Sequence, residues 1–248
     1  MKKYVNLFVF VFMVGACFSQ GKAQTKSAVS YKNPVVDIAM PDPTVIKAAD
    51  GYFYMYATES TRNVPIMKSK DLVQWTYCNT AFTNKTRPRF EPKAGIWAPD
   101  INYINSKYVL YYAMSVWGGE QTCGIGVATA DSPQGPFTDH GKMFRSNEIG
   151  VQNSIDPSLL QYEGRNYLVW GSFRGIYVIE LTADGLSIMS GTKKKRIAGT
   201  AFEAVYIHKH GDYYYMFASI GSCCQGVKST YKVVVGRSKK VWGPYKDK

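Results

Sequence analysis

Four times along this chain a polar tight turn is followed by a run of aromatic and β-branched residues. The first copy is Asp50-Gly51-Tyr52-Phe53-Tyr54-Met55-Tyr56 and the second is Asn105-Ser106-Lys107-Tyr108-Val109-Leu110-Tyr111-Tyr112. The third is Glu163-Gly164-Arg165-Asn166-Tyr167-Leu168-Val169-Trp170 and the fourth His210-Gly211-Asp212-Tyr213-Tyr214-Tyr215-Met216-Phe217. Each is the signature of a β-hairpin. A strand is predicted before each turn, over 43–48, 101–104, 158–162 and 204–209. A further strand is predicted after each, over 66–69, 124–130, 176–181 and 233–238, before turn-rich segments such as Asp131-Ser132-Pro133 and Ala183-Asp184-Gly185 close the units. Three or four short strands recurring every ~50 residues is the period of a β-propeller blade. The expected fold is therefore all-β, with about four propeller blades in this chain.

Composition narrows the classes further. With 46% hydrophobic and 19% charged residues, the chain is not disordered. Past the N-terminus no apolar stretch reaches the ~18 residues of a membrane span. The formal charge of +12 invites a nucleic-acid reading. However, the basic residues are scattered, apart from Lys193-Lys194-Lys195-Arg196, which reads as a solvated turn, so no nucleic-acid partner is expected.

The N-terminus reads as a targeting segment over residues 1–23, ahead of a propeller domain over 24–248. Lys2 and Lys3 precede an apolar core from Val5 to Ala16, too short to span a bilayer and suited to a signal peptide. Val14-Gly15-Ala16-Cys17 resembles a bacterial lipobox, with Cys17 as lipid anchor, while Gly21-Lys22-Ala23 offers an ordinary cleavage site. Both endings imply export, to a secreted, periplasmic or lipid-anchored location. No C-x-x-C pair exists among the five Cys, which argues against zinc, and Cys223 and Cys224 are adjacent.

Each unit also begins with an acid beside a small residue or Pro: Asp42-Pro43, Pro99-Asp100, Asp156-Pro157 and Glu203-Ala204. The first strand of every propeller blade lines the central channel, so these carboxylates converge on one mouth. Like charges at short range raise one another's pKa values, a cost that asks for a use. Glycoside hydrolysis needs two carboxyl groups, one to protonate the leaving oxygen and one to activate water. Trp and Tyr supply faces on which sugar rings stack. The plainer alternative is that each Asp-Pro is a repeated strand-start turn.

These residues resemble glycoside hydrolase family 43, the five-bladed propellers, and within it the arabinan endo-1,5-α-L-arabinosidases. The resemblance runs from about Asp42 to Tyr245. It is carried by Asp42-Pro43-Thr44-Val45, Trp97-Ala98-Pro99-Asp100-Ile101, Ser154-Ile155-Asp156-Pro157-Ser158-Leu159, Gly171-Ser172-Phe173 and Gly221-Ser222-Cys223-Cys224-Gln225-Gly226. It implies Asp42 as general base, Glu203 as general acid and Asp156 as the residue that orients the acid. It also implies sugar contacts from Trp97, Gly118, Asn153, Ser154, Ile155, Ser172, Phe173 and Arg174. Asp100 matches a family motif and reads as structural. The family inverts configuration, which places base and acid ~6.5–9.5 Å apart.

Three departures accompany the resemblance. Arg174 stands where an aromatic is usual, and Val205 where Pro is usual. The sequence stops at Lys248, after the fourth unit, whereas the family has a fifth blade that commonly gives a His to a central calcium. The expectation is a truncated member, with calcium the implied cofactor lacking that His, and with exposed strand edges that destabilise it or drive self-association. The expected substrate is arabinan. The alternatives are an exo-acting α-L-arabinofuranosidase or β-xylosidase, or a non-catalytic glycan-binding propeller.

Overall fold

The aromatic runs after the first three turns are buried on both faces, and this decides the architecture. The computed structural model describes residues 30–246. The targeting segment and Cys17 lie outside the described residues. The first sheet is the antiparallel meander β1 (Thr44–Lys47), β2 (Phe53–Tyr56), β3 (Pro65–Ser69) and β4 (Trp75–Thr80). The second is β5 (Gly95–Ile104), β6 (Lys107–Ser115), β7 (Gly124–Ala130) and β8 (Thr138–Arg145). The third is β9 (Ser158–Tyr162), β10 (Arg165–Trp170), β11 (Ile176–Glu180) and β12 (Lys195–Ala198). The fourth has three strands: β13 (Glu203–His210), β14 (Tyr213–Ile220) and β15 (Lys232–Ser238).

The period of two along a strand sends alternate side chains to opposite neighbours. In β6, Tyr108, Leu110, Tyr112 and Met114 join Tyr54, Tyr56 and Ile66 in a core between the first two sheets. From the same strand Val109 and Tyr111 join Leu168, Trp170 and Ile179 in a core between the second and third. Val169 of β10 then turns the other way, with Val178, to meet Val205, Ile207, Met216 and Ala218 of the fourth. Three apolar cores thus lie between four blades, as the propeller reading requires. Polar links reinforce the inner strands: Ser158 Oγ donates to the Val205 carbonyl at 2.6 Å.

Two expectations need correction. Lys195 and Arg196 belong to β12, not to a solvated turn. An outermost strand buries one face only, here through Ile197 and Ala198, and exposed Lys on such an edge discourages pairing with another chain. The second inner strand begins at Gly95, six residues before the predicted start, because the ladder continues through a register shift at Ala98-Pro99. Pro within a strand is tolerated at such a bulge.

Candidate active site

Asp42 and Asp156 each stand two residues ahead of an inner strand, and each adopts left-handed backbone angles, φ 50° and 56°. The matching corners of the second and fourth blades are Ala98, φ 35°, and Ala204, φ 51°, where β5–β6 and β13–β14 shift register. The expectation of one acid at a common position per blade is thereby corrected. Asp100 lies two residues past its corner and Glu203 one residue before. Sequence spacing from the turns did not reveal the bulges.

The Asp156 carboxyl is pushed well above the usual carboxylate range, first by burial, then by the negative charges of Glu203 and of Asp42. Both charges act on Asp156, so the three expected carboxylates lie near one another. Asp42 is exposed at the mouth and accepts a hydrogen bond from Thr58 Oγ1 at 2.6 Å. The same Thr58 oxygen accepts from the Ala98 N–H at 2.7 Å, which fixes Thr58 between blades one and two. Glu203 is buried, 9% exposed, and accepts from Ser172 Oγ at 2.6 Å. Residues 172 and 203 also pair across a backbone bridge, and the Tyr231 phenol lies near Glu203, its pKa raised by burial and by the charge of that carboxylate.

Asp100 faces a different task. It is buried and accepts from the Leu159 N–H at 2.8 Å, from Asn102 Nδ2 at 2.7 Å and from Thr44 Oγ1 at 3.4 Å. One carboxylate therefore ties blade two to blades one and three. Burial raises its pKa to about 6 against the pull of these hydrogen bonds.

The expected sugar contacts divide. Trp97 is half-buried, and the exposed Trp117 lies beside it with ring centroids 6.2 Å apart. Gly118, φ 82°, is part of the same rim and borders a cavity of about 360 Å³ with Glu120, Gln121 and Gln152. Asn153 Nδ2 donates to Ser172 Oγ at 2.9 Å, so both belong to the hydrogen-bonded surround of Glu203. Phe173 is half-buried, φ 50°, with its N–H on the Phe202 carbonyl.

Three side chains do not serve as expected. Ser154 is fully buried, its hydroxyl donating to the Val151 carbonyl and accepting from Trp170 Nε1. Ile155 is buried with Ala113 and Cys123 beneath Trp97, supporting that ring from below. Arg174 spends Nε and Nη2 on Glu120, at 3.0 and 2.8 Å, and Nη1 on the Phe173 carbonyl. Thr58, Glu120 and Tyr231 were not foreseen. The first two lie in irregular segments without a motif, and Tyr231 stands in a matched stretch with nothing local to mark its role.

Cys223 and Cys224 are free thiols, and the Cys223 thiol is pushed up to about 12 by burial, by Cys224 and by the charge of Glu203. The loop carrying them therefore runs beside the acid. Among the described residues no group of three or more His, Cys, Asp or Glu is placed to hold a metal ion, so the expected calcium has no ligand set of that kind. His140 is on β8, and His208 and His210 are on β13. The larger cavity, about 610 Å³, lies near the opposite ends of the inner strands, among Leu159–Glu163 and Tyr206–Lys209, and is lined by none of the three carboxylates.

Known proteins are similar over most of the chain. The chain is 37% identical over 219 residues to an extracellular endo-α-(1→5)-L-arabinanase of Bacillus subtilis, covering 84% of this chain and 67% of that protein. It is 34% identical over 235 residues to an extracellular exo-α-(1→5)-L-arabinofuranosidase of Cellvibrio japonicus, covering 84% and 66%. The chain thus spans about two thirds of the length of these relatives. The solved α-L-arabinanase of Cellvibrio cellulosa superposes with a TM-score of 0.75 at 32% identity, over 85% of this chain and 74% of that one. The model of the glycosyl hydrolases family 43 matches residues 31–248, and the chain belongs to that family.

Proposed function

We propose that this protein is an exported, inverting glycoside hydrolase that cleaves the α-1,5 links of L-arabinan. The observation that carries this reading is the coupling of Asp156 to both Glu203 and Asp42 in one partly buried site. Burial and the two neighbouring negative charges hold the Asp156 carboxyl well above the usual range, so it keeps a proton far more readily than a free carboxyl. A glycosidic oxygen needs such a proton as it departs. In this reading Glu203 delivers it, aimed by Ser172. Asp42, open to solvent and held by Thr58, takes a proton from the attacking water on the other face of the sugar. Asp156 keeps the acid oriented between them. Trp97 and Trp117 offer stacking faces, since sugar C–H groups pack on indole. Export and substrate follow from the relatives described as extracellular and arabinan-cleaving.

The test is hydrolysis of linear arabinan with the product anomer followed by NMR. The expected product is inverted at the anomeric carbon. Asp42→Asn and Glu203→Gln should each lose ~10²–10⁴-fold in kcat with the fold intact. Full activity in either variant would remove that residue from the chemistry. Early release of oligosaccharides distinguishes endo action from the single sugars of an exo enzyme.

A further inference from the structure

Arg174 stands where an aromatic ring was expected, and all three of its guanidinium nitrogens are engaged within the protein. It offers little to a sugar. Its partner Glu120 has a second role: its backbone carbonyl accepts the Asn153 N–H at 2.8 Å. Asn153 Nδ2 donates to Ser172 Oγ at 2.9 Å, and Ser172 Oγ donates to Glu203 at 2.6 Å. Arg174 is two residues beyond Ser172, on the loop that starts at Gly171. The contacts therefore close a ring: Glu120 to Asn153, to Ser172, then along the chain to Arg174 and back to Glu120. Glu203 hangs from this ring by the Ser172 hydroxyl. The blade-two segment and both blade-three loops beside the acid are locked through one bidentate ion pair, a geometry that fixes angle as well as distance.

We propose that Arg174 and Glu120 are positioning residues for Glu203, holding the Asn153–Ser172 relay so that the acid points at the departing oxygen. This rests on the reading of Glu203 as the general acid. An acid held off-angle slows substrates whose leaving group must be protonated and spares those whose leaving group departs as a stable anion. A pair that served stability or sugar binding alone makes no such distinction.

The experiment measures kcat and KM for the full chain on arabinohexaose and on a 2,4-dinitrophenyl arabino-oligoside, whose leaving group needs no proton. The variants are Glu120→Gln, Arg174→Lys, Arg174→Met and the charge swap Glu120→Arg with Arg174→Glu. Glu120→Gln and Arg174→Lys are small changes at partly exposed sites, so folding is retained, as thermal unfolding checks. Arg174→Met and Glu120→Gln should lose about 10-fold in kcat on arabinohexaose and under about 2-fold on the activated substrate, with KM little changed. Arg174→Lys, with no fork, should fall in the same direction, and the swap should recover part of the loss. Equal slowing on both substrates, or a change confined to KM, overturns the positioning role while leaving the hydrolase reading intact. A wild-type protein inactive on both substrates overturns both.

Discussion

Asp156 is half-buried and Asp100 buried, and the two acids have opposite duties. For each, the folded-state pKa lies above that of the unfolded chain, ordinarily ~3.9. The stability each contributes is fully present below that value and is lost as pH rises through the folded-state pKa. For Asp156→Asn this predicts a protein more stable than wild type at pH 7, with a melting temperature higher by ~2–4 °C per kcal/mol, and far less active. Calorimetry and arabinan hydrolysis on the same preparation check both; a variant less stable at pH 7 and equally so at pH 4 contradicts the electrostatic account. For Asp100 the folded value of about 6 sets the window. Asp100→Asn keeps an oxygen for the Leu159 and Asn102 donors, so its stability relative to wild type should improve between pH 4 and pH 7.5. Asp100→Ala abandons those donors and should cost about 1–3 kcal/mol per unpaired buried group, read from urea midpoints at pH 5.

The blades were legible because hairpin turns and two-sided aromatic runs are local signals. Asp50-Gly51 to Phe53–Tyr56 and Glu163-Gly164 to Arg165–Trp170 could be placed from neighbours in sequence alone. The corners were not, since an Ala in left-handed conformation, as at 98 and 204, carries no compositional mark. Nor could spacing show that Ser154 faces inward or that Arg174 is spent on Glu120, because both depend on a segment brought from another blade. The loop after β10 shows how an element controls the site. Gly171 has φ 130°, and a Cβ there would lie 2.3 Å from the Gly175 carbonyl oxygen. Gly171→Ala must therefore displace the loop that presents Ser172 to Glu203. We expect a loss of about 1–3 kcal/mol in stability together with a fall in kcat. An active, equally stable Gly171→Ala protein would show that the loop relaxes without moving the hydroxyl.

Across the whole molecule the inter-blade cores are unevenly completed. Blade four packs Val205, Ile207, Met216 and Ala218 against blade three, while Tyr206, Phe217, Val233 and Val235 on its other side are exposed. A contiguous apolar face of this kind drives association. Phe217→Lys with Val235→Thr should shift this chain from larger species towards monomer in light scattering and leave the melting temperature nearly unchanged. A wild-type chain already monodisperse at high concentration would show the face to be harmless. The corners that begin the blades carry a separate implication. A ring made of repeats tends to copy its chemistry along with its geometry, and a symmetric mouth would read a sugar chain equally well from either end. Here blades one and three carry an acid at the corner, blade four carries its acid one residue before an alanine corner, and blade two has an alanine corner with Trp97 beside it. The repetition of the backbone is kept and the symmetry of the mouth is broken, so a polysaccharide, which has a reducing and a non-reducing end, meets a surface with a direction of its own.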